Sequence, residues 1–198
     1  MNAVAEPLRF VEDSHQYFVG KKEIPGVTTI IKPLYDFSGI DPAVLNAKRD
    51  LGIAVHRCSE LYDDNELDED TVADEWRPYF AAWVRFRKET GFNPSANEKR
   101  IYHSMMGYAG TLDRAGLFQK QPAIIDIKTT AVIKAAVGVQ LSAYEAALRS
   151  LTGTFYNRFS VQLKDDGSYR LDQFKDPHDF NVFSSLLTVY KWTKNHAD

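Results

Sequence analysis

The stretch Ile124-Ile125-Asp126-Ile127-Lys128 constrains the fold more than any other part of the chain. Successive side chains of a strand point to opposite faces, so residues two apart share a face. Ile125 and Ile127 then look into a core, while Asp126 and Lys128 stand side by side on the other face. An acid and an amine at the end of an apolar strand gain little stability, because desolvating both charges offsets their attraction. Upstream, Gly110-Thr111-Leu112-Asp113-Arg114 reads as the preceding strand. A short turn around Lys120-Gln121-Pro122 brings Asp113 opposite Asp126. Two carboxylates and a lysine in one place suit a hard divalent cation beside a phosphate. Any single Asp-x-Lys is more simply a surface ion pair; the flanking strand and the second acid weaken that reading.

The periodicity on either side sets the architecture. Leu8–Gly20 reads as a hairpin turning at Glu12-Asp13-Ser14. Val27–Lys32 is a short apolar helix closed by Pro33. Asp41-Pro42 is a helix start, an N-cap followed by proline, and that helix runs to about Leu61. A second helix spans about Val72–Thr90 and stops at Gly91. Pro78 either kinks it or marks its true start. Its Trp76, Phe80, Trp83 and Phe86 recur at helical spacing and are expected in the core; a base-stacking platform is the alternative. Strands follow over Glu98–Tyr102, Ala109–Phe118 and Ala123–Lys128. A helix over Ala135–Leu151 carries the stripe Val137, Leu141, Tyr144, Leu148 and Leu151 and ends at Gly153. Strands Phe155–Leu163 and Tyr169–Phe174 are joined by the turn Lys164-Asp165-Asp166-Gly167. A last helix spans about Pro177–Asn195, with Phe180, Phe183, Leu187 and Tyr190 inward. This order predicts an α/β (α+β) fold with a mixed central sheet flanked by helices and an N-terminal β-hairpin. The 198 residues are expected to form one domain: residues 1–40 the hairpin and short helix, 41–153 the helices and core, 154–198 a strand–strand–helix unit.

Composition narrows the chemistry. A single cysteine, Cys58, rules out an internal disulfide and an iron–sulfur cluster held by four cysteines of this chain. No stretch approaches the roughly 18 apolar residues of a membrane span, and MNAVAEPLRF lacks the pattern of a signal peptide. The expected setting is therefore intracellular, with no membrane partner. A net charge of −3 argues mildly against a nucleic-acid partner. However, nine acids with no Lys or Arg fall between Ser59 and Trp76, and without them 18 acids face 24 bases. That body is compatible with binding phosphates. The acidic run itself reads as a solvated loop and helix start.

GTLDRAG followed by IIDIKTT resembles the signature of the PD-(D/E)xK nuclease superfamily, in its RecB-like branch. Three further features resemble that branch: Gly52-Ile-Ala-Val-His56 upstream on a helix, Glu98 on the strand before the hairpin, and Gln140-Leu-Ser-Ala-Tyr144 on the following helix. HQYFVGKKEIPGVTTII and the C-terminal strand–strand–helix are similar to compact phage and prophage exonucleases of the branch. The resemblance implies a restriction-endonuclease-like core and a metal-dependent DNA exonuclease active in phage-type recombination or repair, in the cytoplasm of a bacterial or phage-infected cell. It implies His56, Asp113, Asp126 and the Ile127 carbonyl as metal ligands for one or two Mg2+ or Mn2+ ions. Glu98 would bind a second metal, or the first through water, with a plain exposed acid as its alternative. Lys128 would orient the attacking water and offset phosphate charge. Gln140, Tyr144, Arg114 and Gly52 would lie along the DNA backbone, Tyr144 with packing as its alternative and Arg114 with an acid partner as its own. His56 taken alone is more often a structural histidine. Partners implied are DNA, as single strands or duplex ends, and a single-strand annealing protein; an oligomer is compatible. The competing readings are an endonuclease of the same fold, a non-catalytic DNA-binding subunit and an unrelated metal-binding protein. No Gly-x-x-x-x-Gly-Lys-Ser motif is present for an ATP-driven motor.

Overall fold

The computed structural model describes residues 6–36, 38–130 and 134–196, with the side chain of residue 134 left out. Residues 1–5 of the N-terminal segment considered above lie outside the described residues. The expected hairpin forms from β1 (Leu8–Val11) and β2 (Gln16–Val19). It gains a third antiparallel strand, β3 (Lys22–Ile24), that the sequence reading stopped short of. Gly20 permits this, turning the chain at a φ of +59°. Tyr17, Ile24 and Ala109 form the buried contact between this small sheet and the main one.

The main sheet has the order β4-β5-β6-β7-β8: β4 (Asn93–His103), β5 (Tyr108–Phe118), β6 (Gln121–Lys128), β7 (Asn157–Leu163) and β8 (Tyr169–Phe174). All neighbours are antiparallel except β6 and β7. A parallel pair needs a crossover, and helix α4 (Lys134–Thr152) lies in it. β4 is longer than the apolar pattern indicated, because its first half is paired but mostly not buried.

Helices cover both faces, so β6 is buried on both sides. Ile124 packs with Leu141, Tyr144 and Leu148 of α4 and with Phe183 and Leu187 of α5 (Asp179–Asn195). Ile125 and Ile127 pack on the opposite face with Val55 of α2 (Pro42–Asp63) and with Trp83 and Phe86 of α3 (Arg77–Thr90). Asp41 caps α2 by accepting from the Ala43 N–H at 2.7 Å. Pro78 sits in the first turn of α3, so it marks the start and the helix does not reach back to Val72. Trp83 and Phe86 are fully buried, which removes them as a stacking platform for bases. Leu151 departs from the expected stripe, being 58% exposed where the last turn of α4 runs past the core. Among the described residues no helix is long and apolar enough to cross a membrane.

Candidate active site

The site forms where two paired strands separate. β5 and β6 are in register from Phe118↔Gln121 to Arg114↔Ile125 and stop pairing there, although both strands continue. The Asp113 side chain fills the fork: its Oδ2 accepts the Ile127 N–H at 2.6 Å. A carboxylate thus satisfies a backbone donor that a ladder carbonyl would otherwise take. β4 remains paired alongside, and the register Asn97↔Arg114 and Lys99↔Leu112 sets Glu98 opposite Asp113. Glu98 adopts a φ of +41°. That conformation costs a non-glycine residue on the order of 1–3 kcal/mol and tends to persist at functional sites.

Helix α2 delivers His56 to the same point. Its Nδ1 lies 3.4 Å from Glu98 Oε1, and its Nε2 lies 3.0 Å from the Ile127 carbonyl oxygen and 3.8 Å from Asp113 Oδ2. One ligand atom each from His56, Glu98 and Asp113 falls within 4.8 Å of the others. Burial opposes charging the imidazole, yet Asp113 and Glu98 outweigh it and push His56 up to about 9. In this state a proton on His56 supplies positive charge between the two acids.

Asp126, on β6, lies outside that group of three but close enough for Asp113 and His56 to act on its charge. It is 2% exposed; Oδ1 accepts from Lys128 Nζ at 2.9 Å, and Oδ2 is buried with no partner among the described residues. Burial pushes this carboxyl up to about 6 against the pull of Lys128, with Asp113 adding to the rise. Burial works against the Lys128 ammonium too, but Asp126 and Asp113 hold it above its ordinary value. An unsatisfied buried carboxylate oxygen is costly and needs a reason. His56, Glu98 and Asp113, with the Ile127 carbonyl next to His56 and Asp126 nearby, make an oxygen-rich donor set that fits a hard divalent cation.

Neither a protein-family model nor a curated protein matches the sequence. Solved structures do match, one of them over most of this chain. It is a candidate exonuclease from Eubacterium rectale, with a TM-score of 0.54 and 12% identity over 73% of this chain. The match spans 66% of that protein, just under two thirds of its length. At this identity the likeness is one of fold, a nuclease-like mixed sheet flanked by helices.

The other expected site residues fall differently. Glu98 is not a plain exposed acid; it lies within the ligand group itself. Gln140 and Tyr144 are 6% and 4% exposed and bonded to each other, Gln140 Nε2 donating to the Tyr144 hydroxyl at 3.2 Å. Neither presents a surface to a strand in this state. Gly110 explains how Tyr144 fits, since a Cβ there would lie 2.5 Å from its Cε1. Gly110→Ala should therefore overpack this contact and destabilise the protein by about 1–3 kcal/mol, read as a lower urea midpoint; an unchanged midpoint would mean the ring moves freely. At Gly52 the nearest atom to an added Cβ would be Thr129 Oγ1 at an ordinary 3.6 Å, so packing does not demand glycine. Arg114 is fully buried and cannot touch DNA; it pairs with acids instead.

Two residues escaped the sequence reading. Asp63 was counted in the solvated acidic run, yet its side chain is fully buried against Arg87 and Arg114. Ser59 is fully buried as well. A signal for both was present: Gly52, His56, Ser59 and Asp63 follow one another at four-, three- and four-residue steps, one face of a helix.

Proposed function

We propose that this chain is a metal-dependent deoxyribonuclease of the PD-(D/E)xK superfamily, RecB-like branch, acting as an exonuclease in phage-type recombination or repair. The observation that carries the reading is the His56–Glu98–Asp113 group with Asp126 buried near it, whose Oδ2 has no partner among the described residues. A divalent cation bound there would offset the mutual repulsion of these acids and the cost of burying them. His56, Glu98, Asp113, Asp126 and the Ile127 carbonyl would hold one or two Mg2+ or Mn2+ ions. A bound ion supplies acidification of water and neutralisation of phosphate charge. Lys128, anchored on Asp126, keeps further N–H donors to offer a phosphate oxygen. Asp113 bridges the fork of the two strands by accepting from the Ile127 N–H, a bond that would keep its carboxylate oriented toward the site. The name of the E. rectale protein supports the choice of exonuclease. In this reading the whole chain is one nuclease domain working in the cytoplasm on single strands or duplex ends, alongside an annealing protein.

The test is digestion of 5′- and 3′-labelled single- and double-stranded DNA, and of closed circular DNA, with magnesium, manganese or EDTA. The expected result is metal-dependent loss of label from linear DNA and none from circles. Cutting of circles would make it an endonuclease. No cleavage of any DNA would overturn the proposal.

A further inference from the structure

The reading of Arg114 as a phosphate contact fails on burial, but the geometry gives the residue another task. Its guanidinium is fully buried and every nitrogen is engaged. Nη1 donates to Glu98 Oε1 at 3.1 Å and to the Asp113 carbonyl oxygen at 2.7 Å. Nη2 donates to Ser59 Oγ at 2.8 Å, and the Ser59 hydroxyl donates to the His56 carbonyl oxygen, also at 2.8 Å. Nε donates to Asp63 Oδ2 at 2.6 Å, and the ring of Trp83 lies 5.5 Å from the guanidinium carbon. A single planar cation therefore touches a side chain or backbone atom on each of the three elements that carry His56, Glu98 and Asp113: α2, β4 and β5.

We infer that Arg114, held by Asp63, is the positioning residue of the candidate metal site and sets its affinity for a divalent cation. The inference deepens the nuclease proposal and rests on its metal site. Three physical arguments support it. Glu98 and Asp113 are like charges facing each other across β4 and β5, with Asp126 nearby, and a buried cation beside them offsets the repulsion. Arg114 does so at little expense to the ligands: it takes a bond on Glu98 Oε1 and, at Asp113, uses the backbone carbonyl rather than the carboxylate. Glu98 also sits at a positive φ, which persists only where the surroundings over-determine it. A lysine cannot substitute, because a single ammonium lacks the fixed fork that reaches four partners at once.

Arg87 provides the control. It shares Asp63 with Arg114 and donates to the Phe92 carbonyl oxygen at 2.8 Å, but no bond joins it to a candidate ligand. The experiment is Mn2+ titration of the purified full chain by electron paramagnetic resonance, with the melting temperature of the metal-free protein measured in parallel. Arg114→Lys should weaken Mn2+ binding by about 10- to 100-fold, as loss of a group that orients ligands does. Arg87→Lys should lower the melting temperature and leave Mn2+ binding unchanged. Wild-type affinity in Arg114→Lys, or equal losses of affinity in both variants, would overturn the inference. If Arg114→Lys does not fold, Ser59→Ala removes the link to the His56 turn alone. Weaker Mn2+ binding is then expected, and wild-type binding overturns the inference. Failure of the wild type to bind Mn2+ would instead strike the nuclease proposal beneath it.

Discussion

Asp126→Asn is expected to abolish metal-dependent cleavage and, at the same time, to raise the melting temperature of the metal-free protein. The two effects share one cause. Asp126 is buried with Oδ1 on Lys128 and Oδ2 without a partner among the described residues, so the folded chain carries a carboxylate that is satisfied on one side only. Losing a charged ligand forfeits several kcal/mol of charge stabilisation, about 10³-fold or more in rate. The stability gain follows from linkage. The folded-state value, about 6, lies above the ordinary 3.8. The contribution of Asp126 to stability is therefore full below pH 3.8 and is lost as pH rises through 6. Asparagine carries no charge to lose, so its advantage should be largest near pH 8 and fade toward pH 4. Its amide oxygen can still accept from Lys128, which limits the penalty of removing that partner. A gain of about 1–2 kcal/mol corresponds to roughly 2–8 °C in a chain of this length. Melting curves with EDTA at the two pH values read the stability, and labelled DNA reads the activity. Retained cleavage would remove Asp126 from the site; an unchanged melting temperature at pH 8 would mean its orphaned oxygen carries no cost.

Lys128→Met is expected to separate binding from chemistry. The ammonium bonds to Asp126 and is 24% exposed, so it borders the ligands without being one. Removing a positioned donor to a developing charge lowers the rate by about 10²–10³-fold. Mn2+ affinity should persist, because the variant deletes a competing positive charge beside the carboxylates. Single-turnover cleavage and a Mn2+ titration on the same preparation distinguish the two. Activity at the wild-type level would remove Lys128 from the mechanism. Parallel loss of metal binding would make it a support for Asp126 instead.

Much of the site was legible because its residues lie close in sequence or at short periodic spacings. The alternation of IIDIK assigned Ile125 and Ile127 to one face and Asp126 and Lys128 to the other, and the packing of Ile125 and Ile127 with Trp83 follows that assignment. A hairpin of short loop put Asp113 near Asp126, and His56 and Gly52 shared a helical face. The limits of local reading appear elsewhere. Leu151 continues a perfect apolar stripe but lies beyond the last core contact. Asp63 stands among eight other acids, and nothing local distinguishes a buried carboxylate from a solvated one. Burial is decided by what arrives from elsewhere, here Arg87 from α3 and Arg114 from β5.

By itself the sequence determined the alternation, the helix start at Asp41-Pro42 and the presence of two acids and a lysine on adjacent strands, all consequences of backbone periodicity and local sterics; it left open whether Pro78 kinks or starts its helix, which the fold settled as a start. Only the tertiary structure decided that β5 and β6 part at Asp113 and that Glu98 joins the ligand group. It also turned Arg114 inward, away from any DNA, to bridge α2, β4 and β5. The reason is that each of these depends on partners tens of residues away, and the balance between desolvation and pairing that fixes a buried charge exists only once those partners meet.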